Sequence, residues 1–443
     1  MARELELSFS DKEITPWGGM ALMNRMLGKM DFRGALKRAA LPMQGSNRGY
    51  APEQLIEQFL VSVWCGANRF EHLEVTRHDE AIRKIFDYRR MAGHKSVQRY
   101  FRKFGQATNQ RVFQELYRWF FEHLHFDNFT LDLDSTVMSR YGQQEGGRRG
   151  YNPQKPGRNS HHPLLAFVAD CRMVANCWLR SGDAHTANNF EGFLQDTLEH
   201  LAGKKVGLLR ADSGFCQKTI LEYLEEPQHT IPYIIATRLH APVQRMLAAH
   251  RQWFEVEEGI EVASVLYGAN GWGKERRMVM VRQRVSRRPK ATGKVLRLFA
   301  EEVEIRDYRY GCFVTSLELP AHLVWKIYRL RADAENRIKE LKYDFGADSF
   351  NMQSFSATET AMNCVMLAYN LMSLFRQVVL CSKVQPTLKT MRYKIFAAGG
   401  YLVKDGNRRI LKLCLAMRRR QWFEGLWGKS KDFDLPVSFT SHL

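Results

Sequence analysis

The sequence predicts an α/β core interrupted by a β-rich insertion, between a helical N-terminal region and a helical, basic C-terminal one. Three observations carry this. Apolar residues recur at helical spacing up to about 126. From there to 238 the segments run strand, strand, strand, helix, strand, helix, strand. Between 239 and 320 short alternating segments separated by Gly take over, and helical spacing returns after 320. The expected boundaries are therefore 1–126, 127–238, 239–320, 321–380 and 381–443, with the core split between the second and fourth of these.

Composition narrows the partner. The 443 residues suffice for about three domains, and 45% are apolar, as in ordinary globular proteins. The 66 Lys and Arg against 47 Asp and Glu leave a formal charge of +19. A surplus that large calls for a polyanion, either nucleic acid or an anionic membrane surface. The membrane is the poorer fit. The most apolar helical run, 361–375, contains Asn363 and Asn370 and is too short to span. The N-terminus MARELELSFSDKEI has acids where a signal peptide has a basic and an apolar region, so a cytosolic protein is expected. The eight cysteines form no Cys-x-x-Cys pair and read as reduced, buried hydrophobes.

In the first region, Pro52 opens the helix EQLIEQFLVSVW at a first-turn position. Amphipathic segments follow at 79–86, 96–104 and 111–123. In SVQRYFRKF, Arg99, Arg102 and Lys103 suit a short DNA-reading helix and equally the wet side of a bundle helix.

The core opens with FDNFTLDLDSTVMS, whose alternation puts Leu131 and Leu133 on one face and Asp132 and Asp134 on the other. Carboxylates are disfavoured on strands, so the pair has either a chemical role or a salt-bridged edge. A loop rich in Gly and cations follows. There Arg148, Arg149, Lys155 and Arg158, with Tyr141 and Tyr151 interleaved, suit a phosphate-backbone clamp. Two apolar runs, 163–171 and 173–181, form a hairpin. A helix then leads to the strand KVGLLRADSGF, which ends on Asp212. A carboxylate at the carboxyl end of a strand with parallel-type connections faces a cleft.

The β-rich stretch is strongly basic. Within 274–297 lie Lys274, Arg276, Arg277, Arg282, Arg284, Arg287, Arg288, Lys290, Lys294 and Arg297, against Glu275 alone. More cations than a wet face needs point to DNA backbone contact. Trp253 and Trp272 can stack on an unpaired base or serve as rim aromatics. In the tail, NRRILKLCLAMRRRQWFEGLW reads as a basic helix, with Arg408, Arg409 and Arg418 to Arg420 kept wet.

Residues 328–342, YRLRADAENRIKELK, read as one uninterrupted helix. At about 100° per residue, Tyr328, Arg331, Glu335 and Lys342 share one edge, beside an apolar stripe of Ile327, Leu330, Ala334, Ile338 and Leu341. Alone, this edge is a solvated face with an i, i+4 pair. With Asp134 and Asp212 upstream, Glu335 completes a set of three carboxylates. Such a set in a cationic protein suits two divalent cations about 3.5–4 Å apart, with Mg²⁺ matched to hard oxygen ligands.

The spacing Y-x-x-R-x-x-x-E-x-x-x-x-x-x-K at 328–342 resembles the signature of the DDE transposases of bacterial insertion sequences. The D-S-T at Asp134 and A-D-S-G-F at Asp212 resemble that group's first two catalytic motifs, and GYNPQKPGRNSHHPLLAF and GDAHTANNF add to the likeness. The resemblance covers roughly 60–440. It implies a ribonuclease H-like catalytic core, with Asp134, Asp212 and Glu335 as catalytic metal ligands for two Mg²⁺ ions, for which Mn²⁺ substitutes. Asp132 is the alternative first ligand. Tyr328, Arg331 and Lys342 would hold transposon-end phosphates. The implied protein binds terminal inverted repeats as a homodimer, cleaves double-stranded DNA at the element's ends and joins it to target DNA, with a hairpin route open. A non-catalytic DNA-binding descendant and a metal-dependent DNA nuclease of unrelated role on the same fold are the other classes. The intact carboxylate set argues against the first of these.

Overall fold

The computed structural model describes residues 5–9, 11–45, 49–284, 308–382 and 384–439. Arg287, Arg288, Lys290, Lys294 and Arg297 lie outside the described residues, as does the expected strand KVLRLF. In chain order the elements used below begin with β1 (Ile14–Thr15), α1 (Met20–Lys29), α2 (Phe32–Arg38), α3 (Pro52–Trp64), α4 (Leu73–Arg77), α5 (Glu80–Ile85), α6 (His94–Phe101) and α7 (Gln106–Glu122). Next come β2 (Phe129–Ser135), β3 (Arg148–Arg149), β4 (Asn159–His161), β5 (Leu164–Val168), β6 (Met173–Trp178), α8 (Phe190–His200), β7 (Val206–Ala211), α9 (Lys218–Glu225), β8 (Tyr233–Ala236) and α10 (Ala241–Ala249). The strands β9 (Phe254–Glu257), β10 (Ile260–Tyr267), β11 (Arg276–Arg284) and β12 (Tyr308–Thr315) lead to α11 (Ala321–Arg329), α12 (Ala332–Tyr343) and α13 (Phe355–Phe375). The chain closes with α14 (Leu388–Met391), β13 (Gly400–Asp405), β14 (Arg408–Leu413) and α15 (Met417–Lys429).

Two compact units form, and the chain passes between them more than once. The first holds Met1–His125, Ser139–Gly147 and Ile338–Ser438. Its centre is α13, buried along nearly its whole length, against α3, which is buried from Leu55 to Trp64. Pro52 occupies the first turn of α3, as its fixed φ favours. Some polar groups inside pair with backbone. The Trp64 indole donates to the Ala368 carbonyl at 3.0 Å, and the Gln58 amide both donates to and accepts from the Ala92 backbone. The helical stretch Phe355–Leu380 is longer than the expected 361–375 run and is long and apolar enough to cross a membrane, but 89% of an 18-residue apolar window within it is buried inside the protein. Burial explains its composition. On α6, Arg99, Arg102 and Lys103 lie on the exposed side while Val97, Tyr100 and Phe101 pack inward.

The expected C-terminal basic helix is corrected over its first half. Residues 400–413 form a β-hairpin, and the helix begins only at Met417. Gly406-Asn407 makes the turn between the paired Asp405 and Arg408, with Gly406 at φ +57°, where a side chain is disfavoured. The alternation of Ile410, Lys412 and Cys414 with Leu411, Leu413 and Leu415 is strand periodicity, which a charge-led reading overlooks.

The second unit holds Phe126–Met138 and Arg148–Arg337. It is built on a nine-stranded mixed sheet of order β9-β10-β11-β12-β8-β7-β2-β5-β6. β7 and β8 run parallel to β2, while β5 and β6 return antiparallel as the expected hairpin. The strands expected as a β-rich insertion join this same sheet, β12 pairing antiparallel with β8. On one face Val324 and Trp325 of α11 bury against Leu208, Ile234, Val262, Val279, Val281 and Phe313 from five strands. That anchorage fixes where α11 ends.

Candidate active site

Strand register sets the geometry. Leu133 of β2 pairs with Ala211 of the parallel strand β7. The next residue on each strand is a carboxylate, Asp134 and Asp212, so the two stand side by side at neighbouring carboxyl ends, about 4.8 Å apart between strands. Each is held by the backbone that follows it. Ser135 N donates to Asp134 Oδ1 at 2.8 Å, and Gly214 N donates to Asp212 Oδ1 at 2.9 Å.

The third group arrives from above these strand ends. The expected single helix over 328–342 is instead two helices, α11 and α12, broken at Leu330–Arg331. Three successive i→i+3 bonds, from Arg331 to Tyr328, Asp333 to Leu330 and Ala334 to Arg331, tighten the chain there. No Gly or Pro marks the break; tertiary bonds override helix propensity. Arg210 donates to the Ile327 carbonyl at 2.6 Å, Tyr328 Oη to the Ala211 carbonyl at 3.4 Å, and Arg331 to the Leu133 carbonyl at 3.2 Å. Leu330, expected in the apolar stripe, is consequently exposed, whereas Ala334, Ile338 and Leu341 are buried. Glu335 lies one turn beyond Arg331, exposed and lining a cleft of about 650 Å³ with Tyr328, Arg331, Tyr310 and Trp325. Lys342, seven residues further along α12, belongs to the first unit.

Electrostatics tie these groups together. Burial pushes the Asp134 carboxyl up to about 6; Arg331 opposes this, and the negative charges of Asp212 and Glu335 add to it. Arg331 pairs with Asp134 Oδ2 at 3.0 Å, while its Nε is buried without a hydrogen-bond partner. The guanidinium thus stands where a cation would neutralise Asp134. Among the described residues no three His, Cys, Asp or Glu side chains are close enough together to hold a metal ion in this arrangement.

Asp132, two residues back on the same face, is employed elsewhere. It is fully buried and accepts both Arg210 Nε at 2.7 Å and Arg210 Nη2 at 2.9 Å. Its oxygens are committed to that fork.

The description "Transposase DDE domain group 1" matches residues 1–429. The chain belongs to this DDE transposase family. No curated protein is significantly similar to it. Among solved structures, the piggyBac transposase in a synaptic complex with hairpin DNA, seen by cryo-electron microscopy, is similar at 13% identity with a TM-score of 0.48, over 87% of this chain and 81% of that one.

In this DDE transposase four polar residues that charge patterning missed, His162, Ser135, Thr186 and Arg180, form a network that includes the residue after Asp134. His162 Nδ1 faces the Ala184 carbonyl at 3.0 Å and therefore carries the proton, leaving Nε2 to accept from Ser135 Oγ at 3.1 Å. Ser135 Oγ also contacts Thr186 Oγ1 at 3.2 Å. Burial lowers the His162 pKa and keeps the ring neutral. Arg180 binds the carbonyls of His162, His185, Thr186 and Asn188, fixing the loop that carries Thr186. The signal was present in NSHH and GDAHTANN, but neither has a spacing that names a role.

The basic loop is ordered as the hairpin β3–β4, with Arg148 and Arg149 exposed and Arg148 3.8 Å from Asp183; Lys155 and Arg158 are exposed as well. Of the basic stretch 274–297 only the part up to 284 is described, and most of its cations are engaged. Arg276 is buried in a bidentate pair with Glu225, which Lys274 also contacts at 3.0 Å. Arg282 pairs bidentately with Glu261, and Arg277 donates to the carbonyls of Leu317 and Leu319. The neutralising acids come from α9 and β10, far off in sequence. Arg284 is exposed. Both tryptophans are partly covered, Trp253 by Arg282 at 4.5 Å and Trp272 by Arg276 at 5.0 Å.

Proposed function

We propose that this chain is a cut-and-paste DNA transposase of a bacterial insertion sequence. It binds the element's terminal inverted repeats, cleaves at the element's ends and joins them to target DNA. The observation that carries the reading is the meeting of Asp134 and Asp212 at adjacent strand ends with Glu335 close enough to raise the Asp134 pKa. The order β6-β5-β2-β7-β8, antiparallel then parallel, supports a ribonuclease H-like core beneath them.

Asp134, Asp212 and Glu335 offer only hard oxygen donors, the chemistry that fits Mg²⁺ or Mn²⁺. When bound, a pair of such ions activates the attacking oxygen and stabilises the leaving one. Release of Arg331 from Asp134 frees that carboxylate, and the guanidinium then binds a phosphate of the DNA end, where a planar fork suits two oxygens. Tyr328, kept neutral by burial that pushes its pKa up to about 12, orients the same strand. Arg148, Arg149, Lys155, Arg158, Arg284 and Lys342 serve the flanking backbone. The cleft beside Glu335, walled by Tyr310, Trp325 and Tyr328, has room for one unpaired base, which favours the hairpin route. A homodimer bridging two ends completes the reading.

The test is DNA carrying the element's end, incubated with Mg²⁺ and either wild type or Glu335→Gln. The variant should bind as tightly, with cleavage and strand transfer reduced by orders of magnitude. Undiminished cleavage would remove Glu335 from the site.

A further inference from the structure

The first unit carries an apolar groove of about 900 Å³ that the proposed chemistry leaves unused. Its floor is Leu415, Phe423 and Trp427, and one wall contains every residue from Arg409 to Leu413. Successive strand residues point to opposite faces, and Leu402 of β13, the partner of Leu411, lines the groove too, so it lies over the β13–β14 hairpin and runs out to the edge of β14. That edge ends its sheet, whose order is β1-β13-β14, with no further strand beside it among the described residues. An open edge next to apolar side chains is a template for an added strand.

The chain contains a segment of matching pattern. Leu5, Leu7 and Phe9 alternate with Glu6 and Ser8, and the three apolar side chains are 96%, 85% and 92% exposed. None of them lines the groove. The arm departs from beside it, since Glu13 pairs with Lys84 on the rim. The remaining rim is mostly cationic, with Arg25, Arg409, Lys412 and Arg420 against Asp87 and Glu424, and so complements Glu6.

We infer that the arm Leu5–Phe9 of a second copy lies along β14 and fills this groove, each copy receiving the other's arm. An arm leaving beside the groove it would complement can be exchanged about a two-fold axis, which closes the assembly at two copies. The exchange needs no DNA and no catalytic group, so its test is separate from that of the active site.

Light scattering on the full-length, DNA-free protein should give twice the chain mass. The triple variant Leu5→Asp, Leu7→Asp, Phe9→Asp should give a single chain mass. These positions are solvent-exposed, so the fold is retained. A second measurement locates the arm. In a background with Cys381 and Cys414 replaced by Ser, Leu7→Cys protein is mixed with Leu411→Cys protein and oxidised. A cross-link between the two chains is expected. Monomeric wild type, a dimer indifferent to the triple variant, or a disulfide forming only when both cysteines share one chain would each overturn the exchange. So would Ile410→Glu weakening DNA binding while leaving the mass doubled, which would make the groove a DNA surface.

Discussion

Asp132 and Asp134 share a strand face, and the sequence offers no way to rank them, because alternation makes them equivalent. Their partners separate them. Asp132 is paired with Arg210 in a bidentate fork, and both side chains are buried. Asp134 answers Arg331, which also feels the charge of Asp212. Removing the first carboxylate strands a buried guanidinium, which costs about 3–5 kcal/mol; removing the second leaves Arg331 a neighbouring anion. Urea unfolding should therefore find Asp132→Asn far less stable than Asp134→Asn, while only the latter retains its fold and loses cleavage. Equal losses would show that the two pairs do the same work. A second residue-scale expectation concerns Glu225. Burial alone would raise its pKa, but hydrogen bonds from Arg276, Tyr233 and Lys274 outweigh this and hold it at about 2, against an ordinary 4.5. A depressed folded pKa stabilises above the unfolded value and loses its effect as pH falls through the folded one. The melting-temperature advantage of wild type over Glu225→Gln should thus be full near neutrality and shrink between pH 4.5 and 2. A constant difference would deny the ion pair its role.

At the scale of elements, legibility tracked how local the determinants are. The hairpin β5–β6, the strands ending on Asp134 and Asp212, and α3 with Pro52 at its start follow from apolar runs and turn residues close in sequence. The break between α11 and α12 does not, because carbonyls of β2 and β7 and the Arg210 guanidinium impose it from more than a hundred residues away. The hairpin β13–β14 was legible in Gly406-Asn407 and the alternation after it, yet Arg408 and Arg409, read together with Arg418 to Arg420, suggested a wet helix face. Glycines of the basic loop show what the sequence conceals. A Cβ on Gly150 would stand 1.8 Å from the Gly182 carbonyl oxygen, backbone against backbone, whereas one on Gly157 at φ +77° would meet open space. Gly157→Ala should cost only about 1 kcal/mol of backbone strain. Gly150→Ala must part β3 from its neighbour, and limited proteolysis should nick the 148–161 loop markedly faster in that variant alone. Similar rates for both would mean the close approach is not maintained.

At the scale of the whole molecule, the charge of +19 predicts a polyanionic partner but not where it lies. Counting along the chain credited 274–297 with a DNA surface, whereas most of the cations in its described part, 274–284, answer acids of α9 and β10 or backbone carbonyls. Buried Arg276 and exposed Arg284 lie on the same strand and make opposite predictions. Counterion release on DNA binding follows the number of phosphates neutralised, so each phosphate left without its cation lowers the slope of log affinity against log salt by about 0.9. Arg284→Ala should show that drop with no loss of fold stability. Arg276→Ala should leave the slope unchanged and lower the melting temperature, since it removes both guanidinium hydrogen bonds of the buried pair with Glu225. Fluorescence anisotropy on an end-containing duplex across a salt series, beside thermal unfolding of both variants, reads the two quantities independently. If Arg276→Ala lowered the slope at unchanged stability, the Glu225 pair would have to open on DNA, and the basic stretch would be a nucleic-acid surface after all.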